Sequence, residues 1–203
     1  MAAREGGHRP YARRGRHVTL DSTQTLGLSA TVARSAFTEA MSALASGVVM
    51  VTTRVDDRPW GTTVSAFTSV SAEPPTILVS LRSDAATAQG IDESGRFGVS
   101  ILGRHHCAVA RHGSKRGASK FLERFADADR QGLTPSVAGA LAHLDCEVTE
   151  QLQVGDHTIF VGRVRDVRIA GGGEPLVYFR RAYRTLAQKT NPFTRRRTAC
   201  PSN

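Results

Sequence analysis

Short runs of apolar and β-branched residues, separated by turn residues, dominate the pattern of this chain. Continuous runs predict buried strands at 48–55, 76–81, 97–102 and 175–179. Longer alternating segments predict two more strands at 144–154 and 157–169, the second with a bulge near Gly162. The turn sequence Asp56-Asp57-Arg58-Pro59 predicts a hairpin between the first strand and a strand that covers 60–71.

Helical periodicity is confined to a few short segments. One predicted helix begins at Ser35 as its N-cap and places three apolar side chains on one face, Phe37, Met41 and Leu44. A second covers 85–91, is capped by Ser83 or Asp84, and ends before Gly95. Two further short helices are predicted at 105–112 and 120–125.

The order of these elements predicts the fold class. About seven strands with two or three helices and no βαβ alternation indicate an α+β fold, a mostly antiparallel sheet that curls into a barrel. Residues 1–34 and 189–203 lack any lasting period and are rich in arginine, so we expect disordered tails around one domain at 35–188.

Net charge changes this picture little. The chain of 203 residues has 27 basic and 18 acidic residues and a net charge of +9. Residues 36–183 hold 16 of each sign, so the whole excess lies in the two ends. A domain that binds nucleic acid usually carries its positive charge on the fold itself, so nucleic-acid binding through the tails is the less favoured reading.

Cysteine content favours one cellular compartment, and hydropathy argues against a membrane-spanning helix. Three scattered cysteines do not suit a disulfide framework or a four-ligand zinc site, which favours a reduced, cytoplasmic setting. No apolar run is long enough to span a membrane. His105, His106, Cys107 and His112 lack an acidic partner or a second cysteine pair, so no metal is expected there.

The segment 60–71 has an unusual composition for a structural strand. Hydroxyls fall on both faces, and glycine and alanine between them let a ligand approach the backbone. Small side chains, hydroxyl donors and free edge N–H groups suit a flat heteroaromatic ring or a phosphate. The alternative is a half-exposed strand with solvated hydroxyls.

A second candidate site follows the strand at 76–81. A strand that leads into a capped helix start brings backbone N–H groups together with the side chains of Ser83 and Thr87. Arg82 beside them favours a phosphate over the alternative, which is an ordinary helix cap.

Four motifs, in order, resemble those of the short-chain flavin reductases. They are Gly47-Val48-Val49-Met50-Val51-Thr52-Thr53, Thr63-Val64-Ser65-Ala66-Phe67-Thr68-Ser69-Val70-Ser71 with Pro74-Pro75, Gly155-Asp156-His157, and Pro175-Leu176-Val177-Tyr178. The resemblance runs from about 36 to 187. It implies the FMN-binding split-barrel fold, a homodimer, and an enzyme that uses NADH or NADPH to reduce FMN or FAD for a partner flavin-dependent monooxygenase.

The resemblance also implies a set of cofactor-binding residues. The isoalloxazine would lie along Thr62, Thr63, Val64, Ser65 and Ala66. The next strand and its turn would contribute Ser80, Leu81, Arg82, Ser83 and Thr87, the last three around the phosphate. Further contacts would come from Lys120, Phe121, Gly155 and Asp156, and the nicotinamide pocket would be closed by Tyr183 and Arg184.

His157 is the one catalytic candidate, because it matches the histidine that the family places against the nicotinamide. The alternative is a structural role, in which His157 begins a strand and its ring is bound to a backbone carbonyl. One departure is Ser100, where many relatives have asparagine, so a polar role there is in question. A non-catalytic flavin- or haem-binding protein of the same fold is the alternative function.

Overall fold

The computed structural model describes residues 17–19, 32–127 and 132–186. The helices are α1 (Arg34–Ser42), α2 (Ala86–Ser94) and α3 (Cys107–Ser114), the last preceded by a 3₁₀ turn at Arg104–His106. The strands are β1 (His17–Thr19), β2 (Ser46–Gly47), β3 (Val49–Val55), β4 (Arg58–Val64), β5 (Phe67–Ala72), β6 (Pro75–Arg82), β7 (Arg96–Ile101), β8 (Ala142–Val154), β9 (His157–Ile169), β10 (Leu176–Phe179) and β11 (Ala182–Thr185).

Seven of these strands form one antiparallel sheet in the order β4-β3-β7-β8-β9-β6-β5. A small second sheet, β11-β10-β2, lies beside it, and β1 pairs parallel with β8. The two ends of the large sheet, β4 and β5, follow each other in the chain but are not paired, so the sheet curls without closing. The predicted fold class, a mostly antiparallel split barrel with short helices, is confirmed.

The core follows from the sequence pattern. The β-branched start of β3 is buried on both faces. One side packs against α2, and the other packs in an apolar cluster that includes Leu102, Val109 and Leu122. Gly162 on β9 is required by packing, since a Cβ there would lie 2.4 Å from the ring of Phe97. Opposite Gly162 the extra residue is Thr149 of β8. β9 has its own irregularity at Arg165, between Val164 and Asp166, three residues past the predicted position.

The predicted strand at 60–71 is two strands. β4 pairs with β3, as the hairpin prediction requires, but β5 pairs with β6 at the other end of the sheet. Exposed Ser65 and Ala66 form the corner between them. A strand that leaves one side of a barrel for the other must bend, and small residues allow the bend.

Both predicted helix caps are wrong. The N-cap of α1 is Ala33, two residues before Ser35, and the N-cap of α2 is Ala85; neither has a side-chain cap. Gly95 does end α2 in the left-handed conformation, as predicted, with φ of 66°. The segment 120–125 is a bridge and turn instead of a helix, although Leu122 is fully buried.

Of the two predicted tails, the structure describes 17–19 and 32–34. Residues 17–19, inside the tail predicted to be disordered, pair with Gln151–Gln153 of β8. The rest of 1–31 and the predicted C-terminal tail at 189–203 lie outside the described residues.

Candidate flavin site between strands β4 and β6

The gap in the barrel brings the two predicted ligand segments together. Ala66, at the corner after β4, accepts a hydrogen bond from the backbone N–H of Ser80 in β6 at 3.0 Å. The start of α2 lies against β4, where Thr87 contacts Trp60 and Thr62. The segments 62–66 and 80–87 therefore lie next to each other, beside the opening between the unpaired end strands β4 and β5.

A cavity of about 530 Å³ opens beside the end of β4. From β4 and its corner it is lined by Thr63, Val64 and Ser65. The opposite walls come from α3 and the β10–β11 hairpin and comprise Cys107, Arg111, Ser114, Tyr178, Arg181, Ala182 and Tyr183, with Val48 between. Its volume is in the range of cavities that hold drug-sized ligands.

The donor set beside this cavity fits the polar edge of a flavin ring. The Ser65 hydroxyl is exposed and makes no hydrogen bond within the part of the chain that the structure describes. Gly61 donates its N–H away from β3, to the carbonyl of Lys120 at 3.1 Å. Because alternate residues share an edge, the N–H groups of Thr63 and Ser65 face the same way as that of Gly61. Gly113 of α3 packs against Thr63, where a Cβ on the glycine would lie 2.9 Å from the Thr63 backbone nitrogen. Ser65 is therefore the residue of this edge that can bind a ring carbonyl or nitrogen atom.

A separate polar cluster lies at the far end of β6. Arg82 forms an ion pair with Asp84 at 2.5 Å and lies opposite His157 in the β6–β9 ladder. His157 Nδ1 is 2.7 Å from Asp156, and this hydrogen bond lowers the pKa of the Asp156 carboxyl. The turn Gly155–Asp156 also accepts a hydrogen bond from the Ser83 N–H. The predicted residues Arg82, Ser83, Asp156 and His157 are thus one cluster.

Two of the predicted cofactor-binding residues, Thr87 and Leu81, have buried side chains. Thr87 is fully buried, and its hydroxyl accepts a hydrogen bond from Trp60 Nε1 at 3.1 Å and contacts the hydroxyl of Thr62. The predicted contact between this hydroxyl and a phosphate would require these two hydrogen bonds to break. Leu81 is 2% exposed and packs in the main core, which leaves only its backbone for a ligand.

Lys120 and Phe121 lie against β4 instead of in a helix. The Phe121 ring packs edge-on against Trp60, with ring centres 4.7 Å apart, and lies under the guanidinium of Arg58 at 3.7 Å. Partial burial lowers the pKa of the Lys120 ammonium. This segment braces the outer edge of β4 and so fixes the strand that borders the gap.

The two residues predicted to close the nicotinamide pocket are separated by the strand geometry. Tyr183 lines the cavity and donates its hydroxyl to the carbonyl of Ala110 at 3.1 Å, and burial raises its pKa. Arg184, the next residue of β11, is exposed and is not among the lining residues. Neighbouring residues of a strand point to opposite faces, so Arg184 faces away from the cavity.

Two other arginines face the cavity, and sequence reasoning missed both. Arg111 lies on α3, and among the described residues no carboxylate is paired with it. Arg181 belongs to the β10–β11 turn, where Arg180 and Arg181 have φ of 48° and 60°, and it pairs with Glu39 of α1. Two consecutive left-handed residues are typical of a tight hairpin turn, but the sequence Arg-Arg does not announce one.

The histidines singled out as possible metal ligands are held by backbone groups. His106 bonds to the N–H of Gly103 and the carbonyl of Ala138, and His112 bonds to the carbonyl of Phe121. Within the described ranges, no group of three or more potential ligands is arranged to hold a metal. Ser100, the departure from the family pattern, accepts the Val137 N–H and contacts His143 in the core.

The chain also resembles known proteins over most of its length. The model of the flavin reductase like domain matches residues 41–187. An NADH-dependent flavin reductase of a Rhodococcus species is 39% identical over 151 residues, which cover 73% of this chain and 84% of the relative. The reductase component of 4-hydroxyphenylacetate 3-monooxygenase from Thermus thermophilus is 36% identical over 156 residues, 75% of this chain and 97% of the relative.

Among solved structures, an NADH:FAD oxidoreductase of Streptomyces globisporus, in complex with NAD and FAD fragments, has the same fold. It superimposes with a TM-score of 0.71 at 29% identity, and the match covers 78% of this chain and 95% of that one. No helix among the described residues is long and apolar enough to cross a membrane. The family match, the relatives and the split-barrel fold together show that the chain belongs to the flavin reductase like family of oxidoreductases.

Proposed function

We propose that this protein is an NAD(P)H-dependent flavin reductase that supplies reduced FMN or FAD to a partner flavin-dependent monooxygenase. The family membership over residues 41–187 supports the reaction class. The names of the relatives, which include the reductase component of a two-component monooxygenase, support both the nicotinamide donor and the partner. The observation that carries the proposal is the gap between β4 and β6, where two separately predicted flavin-binding segments meet.

The isoalloxazine is proposed to lie at the end of β4, beyond the part of its outer edge that pairs with Lys120–Leu122. Thr62, Thr63 and Val64 would contribute backbone and side-chain surface, and Ser65 and Ala66 the corner that faces Ser80. The Ser65 hydroxyl would donate to a polar atom of the ring. Tyr183 lines the cavity at this end of β4 and would restrict how the ring can sit, while Phe121 pairs with Trp60 further along the strand.

The phosphate end is proposed to lie at Arg82 and Ser83. A guanidinium and a backbone turn suit a phosphate, and the neighbouring Gly155–Asp156 turn fixes the Ser83 N–H. Asp84 now holds Arg82, so a bound phosphate would compete with this carboxylate. The buried hydroxyl of Thr87 is left out of the proposed phosphate contacts.

The bound flavin supplies the chemistry, because it accepts a hydride from the nicotinamide, and the protein supplies binding and orientation. No residue of the chain has to act as an acid or base for that transfer. His157 is 43% exposed and is held by Asp156, so its ring is fixed beside the phosphate end. We propose that it orients the nicotinamide nucleotide, whose own phosphates would come close to Arg82.

We also propose a homodimer formed through α1. This helix has no buried residue, although Phe37 and Met41 are apolar and are 58% and 47% exposed. Leu44, just past its end, is 59% exposed. A helix of nine residues gains little stability on its own in water, so an apolar face of this kind favours a partner surface. The predicted cytoplasmic location stays a prediction.

The test is to purify the full chain and follow NADH and NADPH oxidation with FMN, FAD and riboflavin in turn. Flavin-dependent NADH oxidation is the expected result. A protein that binds flavin tightly without nicotinamide-dependent turnover would support the alternative, a non-catalytic flavin binder. Coupling to a monooxygenase is tested by adding the reduced flavin product to a purified flavin-dependent monooxygenase and measuring hydroxylation.

A further inference from the structure

A second cavity, of about 200 Å³, lies between α2 and the β8–β9 hairpin. Its floor is apolar and consists of Ala88 and Phe160, which are 4% and 1% exposed. Its rim is polar and consists of Ser83, Gln89, Asp92, Gln151, Gln153 and Thr158. The volume is below the usual range for a whole ligand, so the cavity suits one part of a larger molecule.

The cavity is continuous with the proposed phosphate end of the flavin site through Ser83. The Ser83 hydroxyl is 2.9 Å from that of Thr158, and Gln153 donates to it from 2.9 Å. Arg82, the residue before, is the proposed phosphate ligand. A molecule that extends past that phosphate enters this cavity next. FMN ends at the phosphate, whereas FAD continues from it into adenosine monophosphate.

The lining suits a neutral base better than another phosphate. The described residues that line the cavity include no lysine or arginine, and Asp92 would repel an anion. One Asp92 oxygen accepts a hydrogen bond from Gln151 at 3.0 Å, and its other oxygen has no partner among the described residues. The Gln89 amide, exposed on the same face of α2, has none either. A free carboxylate oxygen and an amide suit a ring with an amino donor and nitrogen acceptors, which adenine provides.

We infer that this cavity binds the adenosine half of FAD and that the protein prefers FAD to FMN. The inference rests on the proposed function, because it takes the flavin phosphate to lie at Arg82 and Ser83. Gln89 and Asp92 are the specificity residues, and the apolar floor formed by Ala88 and Phe160 accommodates the flat base.

The inference is tested by titrating FAD, FMN and riboflavin into the wild-type protein and into the double variant Gln89→Ala with Asp92→Ala. Both residues are exposed on α2, so the variant should fold. FAD affinity is expected to fall roughly tenfold, while FMN and riboflavin affinities stay unchanged. Glu93→Ala, exposed on the same helix but not among the lining residues, is the matched control and should change none of them.

Several outcomes would overturn the inference. Equal losses of FAD and FMN affinity, or no loss of either, would show that the cavity does not contact adenosine of FAD. A rise in the KM for NADH with FAD affinity unchanged would assign the cavity to the nicotinamide nucleotide instead. The proposed function would be contradicted by a different result, a wild-type protein that binds flavin but oxidises neither NADH nor NADPH. The flavin titrations would still test the adenosine site in that case.

Discussion

Arg82 and His157 lie directly opposite each other at the end of the antiparallel β6–β9 pair. Directly opposed residues of such a pair share one face of the sheet, and both side chains are about equally exposed, at 41% and 43%. The family resemblance assigns them to two different ligands, the flavin phosphate and the nicotinamide. The two assignments together predict that the two ligands meet here, so a change at either residue is expected to affect the binding of both ligands.

The ion pair between Arg82 and Asp84 leads to a prediction about flavin affinity. Asp84→Asn removes the competing carboxylate and should raise FMN affinity, whereas Arg82→Gln should lower it roughly tenfold, since hydrogen bonds to charged groups contribute about 1.5–3 kcal/mol. Riboflavin, which has no phosphate, should respond to neither change. Fluorescence titration of both flavins measures this.

The matched control for Arg82 is Arg165→Gln, because Arg165 is also an exposed strand arginine paired with a carboxylate, that of Glu147. It should leave both affinities unchanged. If Arg82→Gln weakens riboflavin as much as FMN, the phosphate does not lie at Arg82.

The buried hydroxyl of Thr87 leads to a prediction about stability. Thr87→Ala leaves the Trp60 N–H without its partner inside the protein, which should cost about 1–3 kcal/mol in the free energy of unfolding. Denaturant unfolding of the purified variant measures this loss. Thr68→Ala removes an exposed threonine hydroxyl and should change stability little.

The same variant also separates a structural role for Thr87 from ligand binding. If Thr87 has only a structural role, Thr87→Ala should weaken FMN and riboflavin binding equally, because both flavins depend on the position of β4. A loss confined to FMN would instead place the phosphate against Thr87 and would require α2 to rearrange on binding.

The apolar face of α1 leads to a prediction about assembly. Phe37→Glu with Met41→Lys should convert a dimer into a monomer, because charged side chains cannot be buried in an apolar interface without partners. Sedimentation velocity distinguishes the two states. Thr38→Glu adds a charge to an exposed position of the same helix and should leave the dimer intact. A wild-type protein that sediments as a monomer would contradict the proposed dimer.

The buried histidine of the core leads to a prediction about pH. Burial and the nearby Arg168 lower the pKa of His143 from 6.5 to about 4, against the opposing effects of Asp145, Asp127 and Asp166. The unfolded chain therefore binds a proton at His143 in this range and the folded protein does not, so stability falls as the pH drops from about 6.5 towards about 4. The contribution between about pH 7 and about pH 5 is about 2 kcal/mol.

Unfolding free energies of the wild type and of His143→Gln across this range provide the test. The variant should be less stable at neutral pH, because Ser100 and Thr134 lose a partner, but its stability should depend less on pH. The two proteins would show the same pH dependence if His143 were protonated in the folded state.

The sequence by itself determined the class of fold and the family. The strands β3, β6, β8 and β9 could be predicted because local alternation and β-branched content encode them. The family motifs are likewise contiguous, so they could be recognised without knowing which residues touch. The hairpin at Asp56–Asp57 was predicted for the same reason, since its turn is encoded by the residues that form it.

Only the tertiary structure decided which of the candidate side chains line the cavity and which are buried or face away from it. Ser65 and Ala66 form a corner because β4 and β5 join opposite ends of the sheet, and no local pattern marks that bend. Thr87 is buried because α2 docks on β4, and Arg184 turns away because Tyr183 faces the cavity. Arg111 and Arg181 reach the cavity from elements distant in sequence. Such positions depend on packing between remote segments, which local sequence does not encode.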